Sequence, residues 1–242
     1  MKERVDVSVI LCAYNEGNVI QDSIVKVDNV MMKTGWDYEI LVVDDGSLDD
    51  TREKAVKCRD ERDKDCLKIV SYGRNAGKGT AIRAGFAQAE GRFVVAIDSD
   101  LDVDPELIPS YVEALKTNDV AVASKWNHNS RTVMTSKRKA LSFGFNILSR
   151  LLTGIKLRDT QTGLKAFRRQ VLERMSPKLV VNRFAFDLEL MSACNHTGFK
   201  IVELPVNVHV KSMVGFKDIL RMALDMCKVA YRLRVLKYYQ RG

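Results

Sequence analysis

Three acidic clusters carry the chemistry this sequence can do: Tyr14-Asn15-Glu16, Asp44-Asp45-Gly46-Ser47 and Asp98-Ser99-Asp100-Leu101-Asp102. Each follows an apolar run, and a carboxylate just past a buried strand is costly to desolvate unless something neutralises it. Asp98 and Asp100, two residues apart on an extended turn, can both reach one hard cation. Mg²⁺ or Mn²⁺ held there would bridge the paired phosphates of a nucleotide and stabilise a diphosphate as it leaves. One such cluster alone reads equally well as a turn or a helix cap. Three of them at strand ends point to a single site. Residues 73–80, GRNAGKGT, invite a phosphate-loop reading that fails in detail. The gap between the first Gly and the Gly-Lys pair is one residue short, and Gly79 stands where a metal-binding hydroxyl belongs. The segment reads instead as a glycine-rich lead into a helix, presenting backbone N–H groups.

The elements that must position these residues follow from hydrophobic patterning. Residues 7–13, 38–43, 67–72, 92–97 and 120–124 read as strands. Helices are expected over 16–32, after a cap at Asp49 or Asp50, over 78–89, and from Pro105 onward. Continuous apolar strands separated by helices imply a mostly parallel sheet covered on both faces. Ligands of such sheets bind beyond the carboxyl ends of the strands, where all three clusters would lie. After residue 125 the rhythm changes to a loop over 126–135, an apolar helix over 139–152, a strand over 163–167 and a helix over 186–196. A strand over 200–209 and a helix over 216–239 complete the chain. With no internal repeat and no linker, the expectation is one α/β domain over residues 1–215, followed by an amphipathic helix within 216–242.

Composition narrows the partners. Lys and Arg outnumber Asp and Glu by 39 to 31, which favours an anionic partner such as nucleotide phosphates or an anionic membrane surface. Nucleic acid is not expected, because no recognisable binding module is present. Five scattered cysteines without metal-ligand spacing suit a reducing, cytoplasmic setting. The N-terminal segment does not read as a signal peptide, and no stretch approaches the ~20 apolar residues of a spanning helix. In the last helix Phe216, Ile219, Leu220, Ala223, Met226, Cys227, Ala230 and Leu233 share one face. Lys217, Arg221, Lys228 and Arg232 share another, and Arg234, Lys237 and Arg241 add a basic tail. That pattern fits a helix lying in a membrane interface, or one that simply covers the sheet. On the first reading the chain beyond Leu233 is dispensable for chemistry. Residues 141–152 carry the same two readings.

Ala13-Tyr14-Asn15-Glu16, Val43-Asp44-Asp45-Gly46-Ser47, Asn75-Ala76-Gly77-Lys78-Gly79 and Asp98-Ser99-Asp100 together resemble the ordered motifs of family 2 glycosyltransferases with the GT-A fold. Asp159-Thr160-Gln161-Thr162-Gly163-Leu164-Lys165 and Phe186-Asp187-Leu188-Glu189-Leu190 extend the likeness toward the dolichyl-phosphate mannose and glucose synthases. The resemblance implies inverting transfer of a hexose, mannose or glucose, from GDP-mannose or UDP-glucose to a polyprenyl (dolichyl) phosphate. It would act peripherally, on the cytoplasmic face of a membrane. By the same resemblance Tyr14, Glu16 and Asp44 bind base and ribose, and Ser99, Lys125 and Lys217 complete the donor site. Asp98, Asp100 and Asp102 hold the metal, and Asp100, Arg138 and Lys211 serve catalysis. Cys12 replaces a usual proline, Asp102 a frequent glutamine, and Lys125 and Lys211 replace arginines, substituting point charges for forks. A lipid phosphate is already anionic and needs no general base. A glycan hydroxyl, the alternative acceptor, would need one, with Asp187 or Glu189 as the candidate.

Overall fold

The computed structural model describes residues 5–62, 65–183, 185–209 and 216–240, with the side chains of 209 and 216–220 left aside. Apolar runs form the strands as expected: β1 (Val7–Ala13), β2 (Tyr38–Asp44), β3 (Leu67–Ser71), β4 (Phe93–Asp98) and β5 (Val120–Ala123). Between them lie α1 (Ile20–Met32), α2 (Thr51–Arg62), α3 (Lys78–Gln88) and α4 (Ile108–Ala114). The chain continues through β6 (Arg131–Val133), α5 (Ser136–Thr153), β7 (Leu164–Arg168), α6 (Arg169–Met175) and α7 (Phe186–His196). It closes with β8 (Ile201–Leu204), β9 (Asn207–His209) and α8 (Phe216–Arg234).

The main sheet has the order β3-β2-β1-β4-β7-β5-β8. β7 runs antiparallel to both its neighbours, and the other six strands are mutually parallel. Lateral register sets the site. Ala13 lies opposite Asp44, and Cys12 opposite Asp98, so the three acidic clusters emerge side by side at one edge. One sheet face packs on α1, α2 and α4; the other is covered by α3, α6, α7 and α8.

Several boundaries differ from expectation for identifiable reasons. α1 begins at Ile20 rather than residue 16, because the preceding N–H groups are captured by side chains. Asn15 donates to Ser47 Oγ (2.9 Å), Glu16 to Thr51 Oγ1 (2.8 Å) and Gly17 to Asp49 Oδ2 (3.0 Å). α5 starts at Ser136, three residues early, because Thr135 Oγ1 accepts from Arg138 N at 3.3 Å as an N-cap. The expected strand over 200–209 breaks at Pro205 into β8 and β9, and β9 pairs with β6 inside the expected loop.

The last helix resolves one ambiguity. Met226, Val229, Ala230 and Leu233 are buried, all but Ala230 within the main core cluster, so this stretch of the apolar face covers the protein's own sheet. Arg232, expected on the outer cationic face, turns inward to Glu189 at 3.6 Å. Arg234 donates to the Leu151 carbonyl at the end of α5, and Lys228 pairs with Asp225. Tyr239, in the tail expected to be dispensable, is 1% exposed and donates its hydroxyl proton to Glu189. Among the described residues no helix is long and apolar enough to cross a membrane. Tyr239→Ala should therefore lower unfolding free energy by about 3 kcal/mol or more in a urea titration, as deletion of a buried aromatic ring does. A loss under ~1 kcal/mol would restore the tail to a loose extension.

Candidate active site

Asp98 ends β4, and the turn after it is fixed from three sides. Its N–H donates to Gly163 O (3.2 Å), Ser99 N–H to Cys12 O (3.2 Å), and the Ser23 hydroxyl to Ser99 O (2.6 Å). Leu101 takes a left-handed φ of 46°, costly for a branched side chain and a mark of an over-determined turn. The result brings Asp98, Asp100 and Asp102 round one cavity. Burial first, then Asp98, holds the Asp100 carboxyl above the usual carboxylate value. Glu16 is raised as well, by burial and then by Asp100, Asp49, Asp98 and Asp102. This is a concentration of negative charge that a cation would relieve.

Within the protein the answering charge is Lys78, at the start of α3. Its Nζ lies 2.6 Å from Asp98 Oδ1 and 2.9 Å from Oδ2. It is also 3.7 Å from Asp187 Oδ2, while Asp187 Oδ1 lies 3.0 Å from Lys165 Nζ. Burial works against the charge on Lys78, but Asp98 and then Asp187 outweigh it and raise its pKa. Lys165 goes the other way: burial lowers it, Asp187 opposes and Lys78 adds to the fall. Burial also pushes the Cys12 thiol up to about 12, so it is no nucleophile at neutral pH.

The second cluster divides its labour. Asp44 is buried and accepts from Ser47 N (3.0 Å) and Ser71 Oγ (3.1 Å). Asp45 is the organiser of the glycine-rich segment. It accepts from the Tyr72 hydroxyl (2.7 Å), Asn75 Nδ2 (2.9 Å), Ala76 N (2.8 Å) and Gly77 N (2.9 Å). Gly46, within the second cluster, has φ +68°, and a Cβ there would run into the Arg74 backbone.

The profile of glycosyl transferase family 2 matches residues 8–176, which run from β1 through α6 and include the acidic clusters and the segment carrying Lys78. This chain is a family 2 glycosyltransferase. It is similar to glycosyltransferase AglD of Haloferax volcanii, 30% identical over 238 residues, which are 96% of this chain but only 38% of that protein. It is also 30% identical over 246 residues to the dolichyl-phosphate beta-glucosyltransferase of Homo sapiens, covering 95% of this chain and 75% of that one. In fold it matches Mycobacterium tuberculosis glucosyl-3-phosphoglycerate synthase, crystallised with Mn²⁺, uridine diphosphate and glucosyl-3-phosphoglycerate, at TM-score 0.67 and 20% identity. That match covers 94% of this chain and 79% of that one.

In this transferase Lys78, Asp98, Asp100, Asp102, Lys125, Arg138 and Asp187 all line the cavity. Tyr14 stands exposed near the strand end and Ser99 is buried in the turn. Lys125 reaches the wall with its ammonium already matched: it lies 2.7 Å from Asp159 Oδ2 and donates to Thr162 Oγ1 at 3.3 Å. Against the cost of burial, Lys125 holds the Asp159 carboxyl below the usual range. Lys211 lies outside the described residues, as does the side chain of Lys217. Glu189 is fully buried and accepts from Val180 N (3.0 Å) and Val181 N (2.8 Å), so its carboxylate is occupied in holding the fold together. The motifs contain Asp45, Lys78 and Lys165, but their spacing gave none of the three a role of its own. For Lys165 the local signal was an ionisable side chain inside the apolar strand LKAF that must find a partner.

Among the described residues no three His, Cys, Asp or Glu side chains converge into a protein-only metal cage. A divalent cation held by one or two carboxylates plus phosphate oxygens fits this arrangement better than a closed site. Gly163 supplies a test of how tightly Asp98 is placed, because a Cβ there would land against Asp98 Oδ2. Gly163→Ala should cut transfer by at least about 100-fold while leaving the thermal melt nearly unchanged, since a displaced reacting group costs that much. Unaltered turnover would mean that the Asp98 carboxylate is free to relocate.

Proposed function

We propose that this transferase moves a hexose from a nucleotide sugar to a polyprenyl phosphate at a membrane surface. The observation that carries this is the two-sidedness of the cavity, ≈ 350 Å³ in volume. Lys78, Asp98, Asp100, Asp102 and Asp187 form an ionic wall, while Met134, Leu141, Phe145, Val208 and Met222 supply apolar surface. Arg138 lines it from the first turn of α5. An acceptor with an anionic head and a hydrocarbon tail matches both surfaces; a glycan matches only the first. The kinship to a dolichyl-phosphate beta-glucosyltransferase supports the same acceptor class and makes UDP-glucose the first donor to try.

In this reading Tyr14, Glu16 and Asp44 hold base and ribose, and Ser99 and Lys125 shape the floor beneath the donor. Asp98 and Asp100 would hold Mg²⁺ or Mn²⁺, with Asp102 adding negative charge on the same cavity wall, and the cation would neutralise the diphosphate charge. Arg138, with Lys211 and Lys217, draws the acceptor phosphate toward a donor of the same sign. An acceptor phosphate oxygen attacks the anomeric carbon. The bond to the diphosphate oxygen breaks on the opposite side, its electron pair leaving with the nucleoside diphosphate, and configuration inverts. No side chain has to remove a proton, in keeping with the occupation of Glu189.

The membrane-facing surface is then not the covered face of α8 but α5. Leu141, Phe143, Ile147, Leu148 and Leu151 stand exposed along it, with Val235, Leu236 and Tyr238 also exposed on the segment after α8. Exposed Lys137, Lys139 and Arg150 border that strip, and each cation near an anionic surface adds about 1 kcal/mol. Exposed apolar area on this scale marks an interaction surface.

Two measurements test the proposal. With a radiolabelled donor and a short polyprenyl phosphate, label should partition into organic solvent, and Asp100→Ala should abolish both transfer and metal-dependent nucleotide binding. Label that stays aqueous on a glycan hydroxyl would overturn the lipid acceptor. In flotation over anionic liposomes at low salt, the paired change Phe143→Glu and Leu151→Glu should release the protein into the soluble fraction. Wild-type protein that never floats would sink the membrane reading.

A further inference from the structure

Lys78 occupies both oxygens of the carboxylate that a divalent cation would use. Together with Asp98, Asp187 and Lys165 it makes a row of four half-buried or buried groups that alternate in sign and cancel. A divalent cation arriving alone at Asp98 would break that balance. Lys78 would lose its 2.6 Å partner and share Asp187, 3.7 Å away, with Lys165 and next to new positive charge. A nucleoside diphosphate arriving with the cation supplies the missing anion within the same cavity.

Lysine suits such an exchange, being a point charge on a flexible stem. Its backbone, in contrast, is held fast. Gly79 N–H donates to Asn182 O at 2.9 Å, and Asp45 grips the N–H groups of Ala76 and Gly77. The ammonium can therefore change partners by side-chain rotation while α3 stays in place.

We propose that Lys78 is a built-in counter-ion that competes with the divalent cation for Asp98 and yields it only when a nucleoside diphosphate offers a replacement anion. Metal and nucleotide then bind as a pair, each strengthening the other by the same factor. This deepens the metal reading above and rests on it.

The test is Mn²⁺ binding to the full chain, followed by electron paramagnetic resonance without nucleotide, with UDP and with GDP, and corrected for the Mn²⁺–nucleotide complex in solution. In the wild type the better nucleotide should raise Mn²⁺ affinity by about tenfold or more. Lys78→Met should bind Mn²⁺ alone several-fold tighter, about five-fold on this scale, and the factor gained from nucleotide should shrink toward one. Lys78→Arg, which keeps the charge, should bind nucleotide-free Mn²⁺ no more tightly than the wild type. A purely structural lysine would leave nucleotide-free Mn²⁺ binding unchanged or weaker on removal, and that outcome in a folded Lys78→Met protein overturns the proposal. Should that variant not fold, Lys78→Gln carries the same comparison. Wild-type protein that binds Mn²⁺ neither alone nor with UDP or GDP would overturn the metal reading itself.

Discussion

Three parallel strands ending in lateral register force carboxylates together at one edge of the sheet, and the rest of the site answers that constraint. Cys12 faces Asp98 and Ala13 faces Asp44 across the ladder, so the clusters cannot drift apart without breaking sheet hydrogen bonds. Charge held at fixed, close spacing and partly removed from water has to be matched locally. Lys78, Lys165 and Lys125 do so for Asp98, Asp187 and Asp159. The same rigidity that makes the cluster costly means that a polyanionic donor bound there, as proposed, would meet groups that need no rearrangement of the backbone.

Asp45 shows how one side chain links two parts of the site. By gathering the N–H groups of residues 76 and 77 it sets where α3 begins, and therefore where Lys78 points. The segment 180–182 presses on that same start, with Asn182 O accepting from Gly79, and Glu189 in turn holds residues 180 and 181. Tyr239 and Arg232 close the series from the C-terminal side. Glu189 is thus better understood as a cornerstone than as a base.

Much of the fold was legible because parallel strands buried on both faces are continuous apolar runs, and their ends announce the acidic clusters. What escaped notice had no local signature. β6 and β9 are three residues each, too short for alternation to register, and α6 follows β7 with no intervening turn residue. Periodicity gave α8 an apolar face but could not say what covers it, and Arg232 found its partner 43 positions back along the chain. Lys78 meets Asp98 across twenty residues, a pairing created only when α3 and β4 are placed side by side. Lys125 was read from the likeness as a donor-site residue, while its match to Asp159 depends on a turn that only the folded chain assembles.

The place of β7 has a consequence for how the protein is made. The half of the sheet formed by β3-β2-β1-β4 consists of residues up to Asp98, but the strand that pairs with the open side of β4 ends at Arg168. During synthesis at roughly 5–20 residues per second, about seventy residues and some 4–14 seconds separate the two. Throughout that interval the apolar strand FVVAID presents an unpaired edge, the kind of surface on which nascent chains adhere to one another. That edge is closed only when the antiparallel strand β7 takes its place beside β4.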